Sequence, residues 1–146
     1  MVTTLLLADD DPDDRLLVRD ALEETRWTAD LKTVEDGVEL MDYLRRRGRY
    51  VDAGEAPPPN LILLDLKMPR KSGHQALREI KEDPDLRWIP VVILTTSNQQ
   101  QDISLSYDLG VNSFITKPAS FGALVETMRI LERYWFEVVA LPGEYA

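Results

Sequence analysis

The sequence predicts an α/β fold, a doubly wound parallel sheet built from five βα units, on three observations. Short apolar runs alternate with segments of helical spacing along the chain, the pattern of crossover-connected parallel strands. The runs do not alternate apolar with polar residues, as expected when helices cover both faces of the sheet. Four of the runs also stop at a polar, chemically capable residue, so the strand ends share a character that the strand interiors lack.

The elements follow in order. Leu5 to Ala8 is the first strand candidate, and Asp11-Pro12 starts the first helix, a capping carboxylate followed by proline at the first helical position. Leu17, Val18, Ala21 and Leu22 form that helix's apolar stripe. Leu31 to Val34 is a second, weaker strand, and Val38, Met41 and Leu44 mark a second helix ending near Arg45. Leu61 to Leu64 is the most hydrophobic strand. Ala76, Leu77 and Ile80 mark a third helix, which Asp83-Pro84 ends. Val91 to Leu94 is the fourth strand, followed by a short helix over Ile103, Leu105 and Leu109 that Gly110 stops. Ser113 to Thr116 is the fifth strand, and Ser120 to Val139 reads as one long last helix. The single irregular stretch runs from Arg45 to Asn60. Its basic run, Arg45 to Arg49, reads as a solvated helix C-terminus, where cations are favoured, and Pro57 to Pro59 stiffens the loop.

Composition removes several classes of function. A chain of 146 residues, 44% of them hydrophobic, is one domain's worth and needs no staple for its core. There is no cysteine, which excludes disulfides, thiolate metal sites and cysteine nucleophiles. With 17 basic against 26 acidic residues the net charge is −9, which repels nucleic acid and anionic membrane alike. The best apolar run, Trp88 to Leu94, is far short of a membrane span and contains Pro90, and Asp9 to Asp11 cut the first strand too early for a signal peptide. The expectation is a cytoplasmic domain. The lone histidine, His74, is expected to be a solvent-facing loop residue.

The polar residues that close the strands carry the chemistry. Asp9-Asp10 follow the first strand, Asp65 the third, Thr95 closes the fourth and Lys117 follows the fifth. In an open parallel sheet the carboxyl ends of the strands face one crevice, so these five residues are expected to converge. Three clustered carboxylates repel one another unless a cation joins them, and an all-oxygen set with few protein ligands suits Mg2+. A lysine, a hydroxyl and Mg2+ gathered around one carboxylate describe stabilisation of a phosphoryl group in transfer, with Asp65 as the nucleophile.

Asp9-Asp10, the segment from Leu63 to Pro69 with Gly73, then Thr95 and Lys117-Pro118 resemble the receiver domain of two-component response regulators, from about Leu5 to about Leu131. The resemblance implies the flavodoxin-like (βα)5 sheet with strand order 2-1-3-4-5. It implies that Asp65 accepts phosphate from a histidine kinase's phosphohistidine. Asp10, Asp65 and the backbone carbonyl of Lys67 would ligate Mg2+, with Asp9 acting through water. Lys117 would contact the phosphoryl group and Thr95 would hydrogen-bond it. Phe114 takes the place of the family's rotating aromatic, which turns inward as Thr95 moves, changing the surface of the fourth helix, fifth strand and fifth helix. Lys67 and Thr96 stand where the family tunes dephosphorylation, and Lys117-Pro118 is expected to be cis, as in the family. Asp11, Asp13 and Asp14 exceed the family's acidic pair and are expected to favour the first helix N-terminus rather than bind metal.

Only one helix and a tail, about residues 120–146, follow Pro118, so the expectation is a single receiver domain over 1–146 without an output domain, signalling to an unknown downstream protein. Leu124, Met128, Leu131, Trp135 and Val138 are spaced as a coiled-coil seam, with Tyr134 and Phe136 adding aromatic surface, which predicts a homodimer. The tail from Arg133 to Val139 with Leu141-Pro142 resembles that of regulators paired with bacterial phytochrome histidine kinases, which implies a red-light-sensing kinase upstream. The alternative within the family is a monomeric phosphorelay shuttle or phosphate sink. Two rivals outside it fare worse. An EF-hand loop starting at Asp9 would need glycine and glutamate where Asp14 and Asp20 stand. A haloacid-dehalogenase-type phosphohydrolase would need an acidic residue at Lys67.

Overall fold

The computed structural model describes residues 3–52, 54 and 56–141. Five parallel strands, β1 (Thr4–Ala8), β2 (Asp30–Val34), β3 (Leu61–Leu64), β4 (Val91–Thr95) and β5 (Ser113–Thr116), form one sheet in the order β2-β1-β3-β4-β5. The five helices between and after them are α1 (Pro12–Thr25), α2 (Gly37–Arg45), α3 (Gly73–Glu82), α4 (Gln100–Asp108) and α5 (Phe121–Glu132). The doubly wound α/β fold, its strand order and each βα unit stand as the sequence predicts. The tail beyond Leu141, including Pro142, lies outside the described residues.

Alternation along the strands divides the core in two, because successive side chains point to opposite faces. Leu5, Leu7, Leu61, Leu63, Val92 and Leu94 meet α1 and α5 through Val18, Leu22, Leu124 and Met128. Leu6, Ala8, Ile62, Leu64 and Ile93 face the other way, toward Met41, Leu77 and Ile80 of α2 and α3. Asp11 caps α1 by accepting from the Asp13 amide at 2.9 Å, with Pro12 first in the helix. Ser72 and Gln75 form a reciprocal capping box at α3.

Four local expectations change. Leu17 and Leu105 are exposed; the buried stripe of α1 is Val18, Ala21 and Leu22, and the buried residue of α4 is Ser106. The last helix is not one regular rod. After Glu132 it widens into π-helical turns over Arg133–Val138, closed by the Val139 amide donating to the Tyr134 carbonyl at 3.0 Å. With an extra residue per turn, Trp135 and Phe136 pack against the α1–α5 core, Phe136 lying 5.1 Å from Trp27 between ring centroids. The Lys117–Pro118 bond is trans, the isomer an X–Pro bond favours unless its surroundings impose the other, and Lys117 reaches its partners from it.

The basic run ends α2 as expected, and three of its four arginines are paired within the chain. Arg45 meets Glu79 and Asp83, Arg47 meets Asp42, and Arg49 meets Glu39. The irregular stretch holds a 3-10 turn, Gly48–Tyr50, and is fastened by the Tyr43 hydroxyl donating to the Pro57 carbonyl at 2.9 Å.

Candidate functional site

The C-terminal edge of the sheet brings Asp9, Asp10, Asp65, Thr95 and Lys117 together. Asp9 is buried and Asp10 exposed, one on each side of the strand end. Asp9 is held from three directions. The Asp11 amide donates to its Oδ1 at 3.0 Å, its own amide donates to Val34, and Arg15 donates to its carbonyl at 2.7 Å. Asp65 is buried at the end of β3, its Oδ1 accepting from the Thr95 hydroxyl at 2.7 Å and, weakly, from the Lys67 amide at 3.4 Å. Lys117 spends its three N–H bonds on Asp14 Oδ2 at 2.7 Å, Asp9 Oδ2 at 2.8 Å and Asp65 Oδ2 at 3.1 Å.

The loop after Asp65 is bound closely to its surroundings. At Gly73 a Cβ would overlap the Asp65 carbonyl oxygen and come within 2.7 Å of Leu66 Cα, so only glycine lets α3 start there. Arg70, in the left-handed region at φ 65°, sends Nε to Asp36 Oδ2 at 2.9 Å and ties the same loop to the cap of α2.

Oxygen atoms of Asp9, Asp10 and Asp65 lie within 4.8 Å of one another. Carboxylate oxygens alone, clustered and in excess over the one ammonium beside them, fit a hard divalent cation. Burial pushes the Asp9 carboxyl above its ordinary value, against the opposing hydrogen bond from Lys117. Burial works against the charge on Lys117, but hydrogen bonds to Asp14 and Asp9 and the charge of Asp65 outweigh it and raise its pKa.

Phe114 lies on β5, half-buried against the α2–α3 side of the core. Lys67 follows Asp65 by two residues, as the sequence requires. His74 departs from expectation. It sits in the first turn of α3, half-buried, with Nε2 2.9 Å from the Ser106 hydroxyl of α4. The seam proposed for a partner is mostly spent within the chain. Leu124, Met128 and Leu131 are buried under their own sheet, because a helix covering a sheet turns its apolar stripe inward. Tyr134 and Val138 remain exposed, joined by Ile130.

Sequence reasoning placed Asp14 at the helix N-terminus and missed its contact with Lys117. The available signal was its position one turn after Asp10, since side chains on a helix lean back toward its N-terminus. Arg15 and the Arg70–Asp36 clamp gave no sequence signal.

The family model described as the response regulator receiver domain matches residues 5–129, and the chain belongs to that family. Response regulator Rcp1 of Synechocystis is 41% identical over 139 residues, 95% of this chain and 92% of that protein. The phosphorylated cyanobacterial phytochrome response regulator RcpA superposes with a TM-score of 0.90 at 41% identity, covering 98% of this chain and all of that one. The Mn2+-bound form of Rcp1 gives 0.86 at 40% identity, covering 97% and 99% of the two chains. No helix among the described residues is long and apolar enough to cross a membrane.

Proposed function

We propose that this response regulator accepts a phosphoryl group on Asp65 from the phosphohistidine of a sensor histidine kinase, with Mg2+ in the acidic pocket. The observation that carries the reading is the Lys117 ammonium 3.1 Å from Asp65 Oδ2, beside the oxygen cluster of Asp9, Asp10 and Asp65. Asp10, Asp65 and the Lys67 backbone carbonyl would hold Mg2+, with Asp9 reaching it through water. Bound there, Mg2+ supplies charge neutralisation for the acids and for the phosphoryl oxygens.

The chain's own residues do the rest. A carboxylate oxygen of Asp65 bonds to phosphorus as the P–N bond to the kinase imidazole breaks. The imidazole leaves with the bonding electrons and takes a proton from solvent. Asp65 has no proton to lose, so no base is needed. Lys117 exchanges its bond to Asp65 for one to a phosphoryl oxygen, and the Thr95 hydroxyl does the same. Thr95, drawn to the phosphoryl group, and Phe114, turning into the space it leaves, then change the face formed by α4, β5 and α5, biasing a two-state packing by charge at one point.

The kinase is a phytochrome-type red-light sensor, a reading supported by the similarity to Rcp1 and RcpA, and its phosphohistidine is made in the cytoplasm, where we place this protein. Signalling runs through protein–protein contacts, with a homodimer formed around the exposed Ile130, Tyr134 and Val138 rather than around the buried seam.

Acetyl phosphate with MgCl2 tests the reading. The intact mass should gain one phosphoryl group, Asp65→Asn should gain none, and omission of the metal should abolish labelling. Continuous turnover of a phosphomonoester would overturn it in favour of a hydrolase.

A further inference from the structure

Three carboxylates hold the Lys117 ammonium, and two of them have a second task in the reading above. Asp65 takes the phosphoryl group and Asp9 faces the cation. Asp14 has no other. It lies outside the oxygen cluster of Asp9, Asp10 and Asp65, and its one side-chain hydrogen bond among the described residues is to Lys117, at 2.7 Å. It is also the shortest of the three bonds to that ammonium, from a side chain only 29% exposed.

We infer that Asp14 is a positioning residue acting through Lys117, and that its charge selects against small, freely diffusing anionic phosphodonors; the inference rests on Asp65 being the phosphoacceptor. Positioning follows from the geometry. When a phosphoryl oxygen arrives, the ammonium has to give up Asp65, its longest contact, and Asp14 keeps it anchored at the pocket while it turns. Selection follows from the charge. Because both carboxylates bind one nitrogen, the Asp14 charge lies within about 6 Å of the Asp65 oxygen. An anion fixed at that distance repels a phosphodonor in proportion to the donor's own charge. A phosphohistidine presented by a docked kinase offsets this repulsion through protein contacts. A free acyl phosphate has none.

The experiment compares second-order labelling constants for acetyl phosphate, a dianion at neutral pH, and phosphoramidate, which carries half that net charge, at fixed MgCl2 and ionic strength. Asp14→Asn keeps the shape and an acceptor while removing the charge. It should raise the acetyl phosphate constant about fivefold and the phosphoramidate constant only about twofold, with the gap narrowing in high salt. Asp14→Glu keeps the charge and should leave the ratio of the two constants at the wild-type value. Equal factors for both donors would reveal a merely structural residue and overturn the inference, as would no rise for either. Failure of the underlying reading looks different: the unaltered protein would take no phosphoryl group from either donor, or Asp65→Asn would still be labelled.

Discussion

Thr95 donates its hydroxyl to Asp65 Oδ1 across 2.7 Å, and both side chains are buried at adjacent strand ends. The bond links the proposed phosphoacceptor to β4 before any phosphoryl group arrives. Thr95→Val keeps the shape and removes the donor, leaving a buried carboxylate oxygen short of a partner. A charge-assisted bond of this kind contributes about 2 kcal/mol, so the urea midpoint should fall accordingly. Thr95→Ser, which restores the hydroxyl, should recover most of the loss.

Asp36 gives the fold an acid-sensitive joint. Burial alone would raise its pKa, but the Glu39 amide at 2.7 Å and the Arg70 guanidinium more than offset that and hold it below its ordinary value. A carboxyl lowered in the folded state contributes stability above its unfolded value of 3.8, and that contribution disappears as pH falls through the folded value. Asp36→Ala should cost about 1 kcal/mol at pH 7 as a lost helix cap. In urea titrations the gap between variant and wild type should shrink at pH 3.

Gly73→Ala is expected to be among the most damaging small substitutions. The added methyl would overlap the Asp65 carbonyl oxygen, and that oxygen belongs to backbone that cannot step aside. Destabilisation of about 3 kcal/mol is expected, with slower labelling of Asp65 because the loop after it must shift. Thermal unfolding and labelling kinetics check the two effects separately.

The proposed dimer makes a demand on exposed residues only. Ile130→Asp places a charge on a side chain that is 58% exposed in the single chain, so the monomer fold should be untouched. Light scattering should give a dimer mass for the wild type and a monomer mass for the variant. A monomer for both, with and without phosphorylation, would favour a phosphorelay shuttle or phosphate sink instead.

Much of this was legible from the sequence because the fold repeats one simple device. Uninterrupted apolar runs such as Leu61 to Leu64 fit only a sheet covered on both faces, and a parallel sheet must gather its strand-end residues. Hence Asp9, Asp65, Thr95 and Lys117 were predicted to meet from positions far apart in the chain. What was not legible depends on rotation rather than on order. Whether Leu17 or Val18 faces inward is a difference of about 100° around a helix, and a loose apolar pattern does not fix it. The same ambiguity hid the inward turn of Leu124, Met128 and Leu131. Contacts between side chains from separate elements, such as Asp14 with Lys117, leave no periodic trace.

The hydrogen bond between His74 and Ser106 has a consequence for how α3 and α4 move. The Ser106 hydroxyl has a single proton and gives it to the Asp102 carbonyl at 2.7 Å. It can therefore only accept from His74, so Nε2 is the donor across the two helices. Any displacement of α4 relative to α3 therefore has to stretch or break a tie that begins at the first turn of one helix and ends on the buried serine of the other.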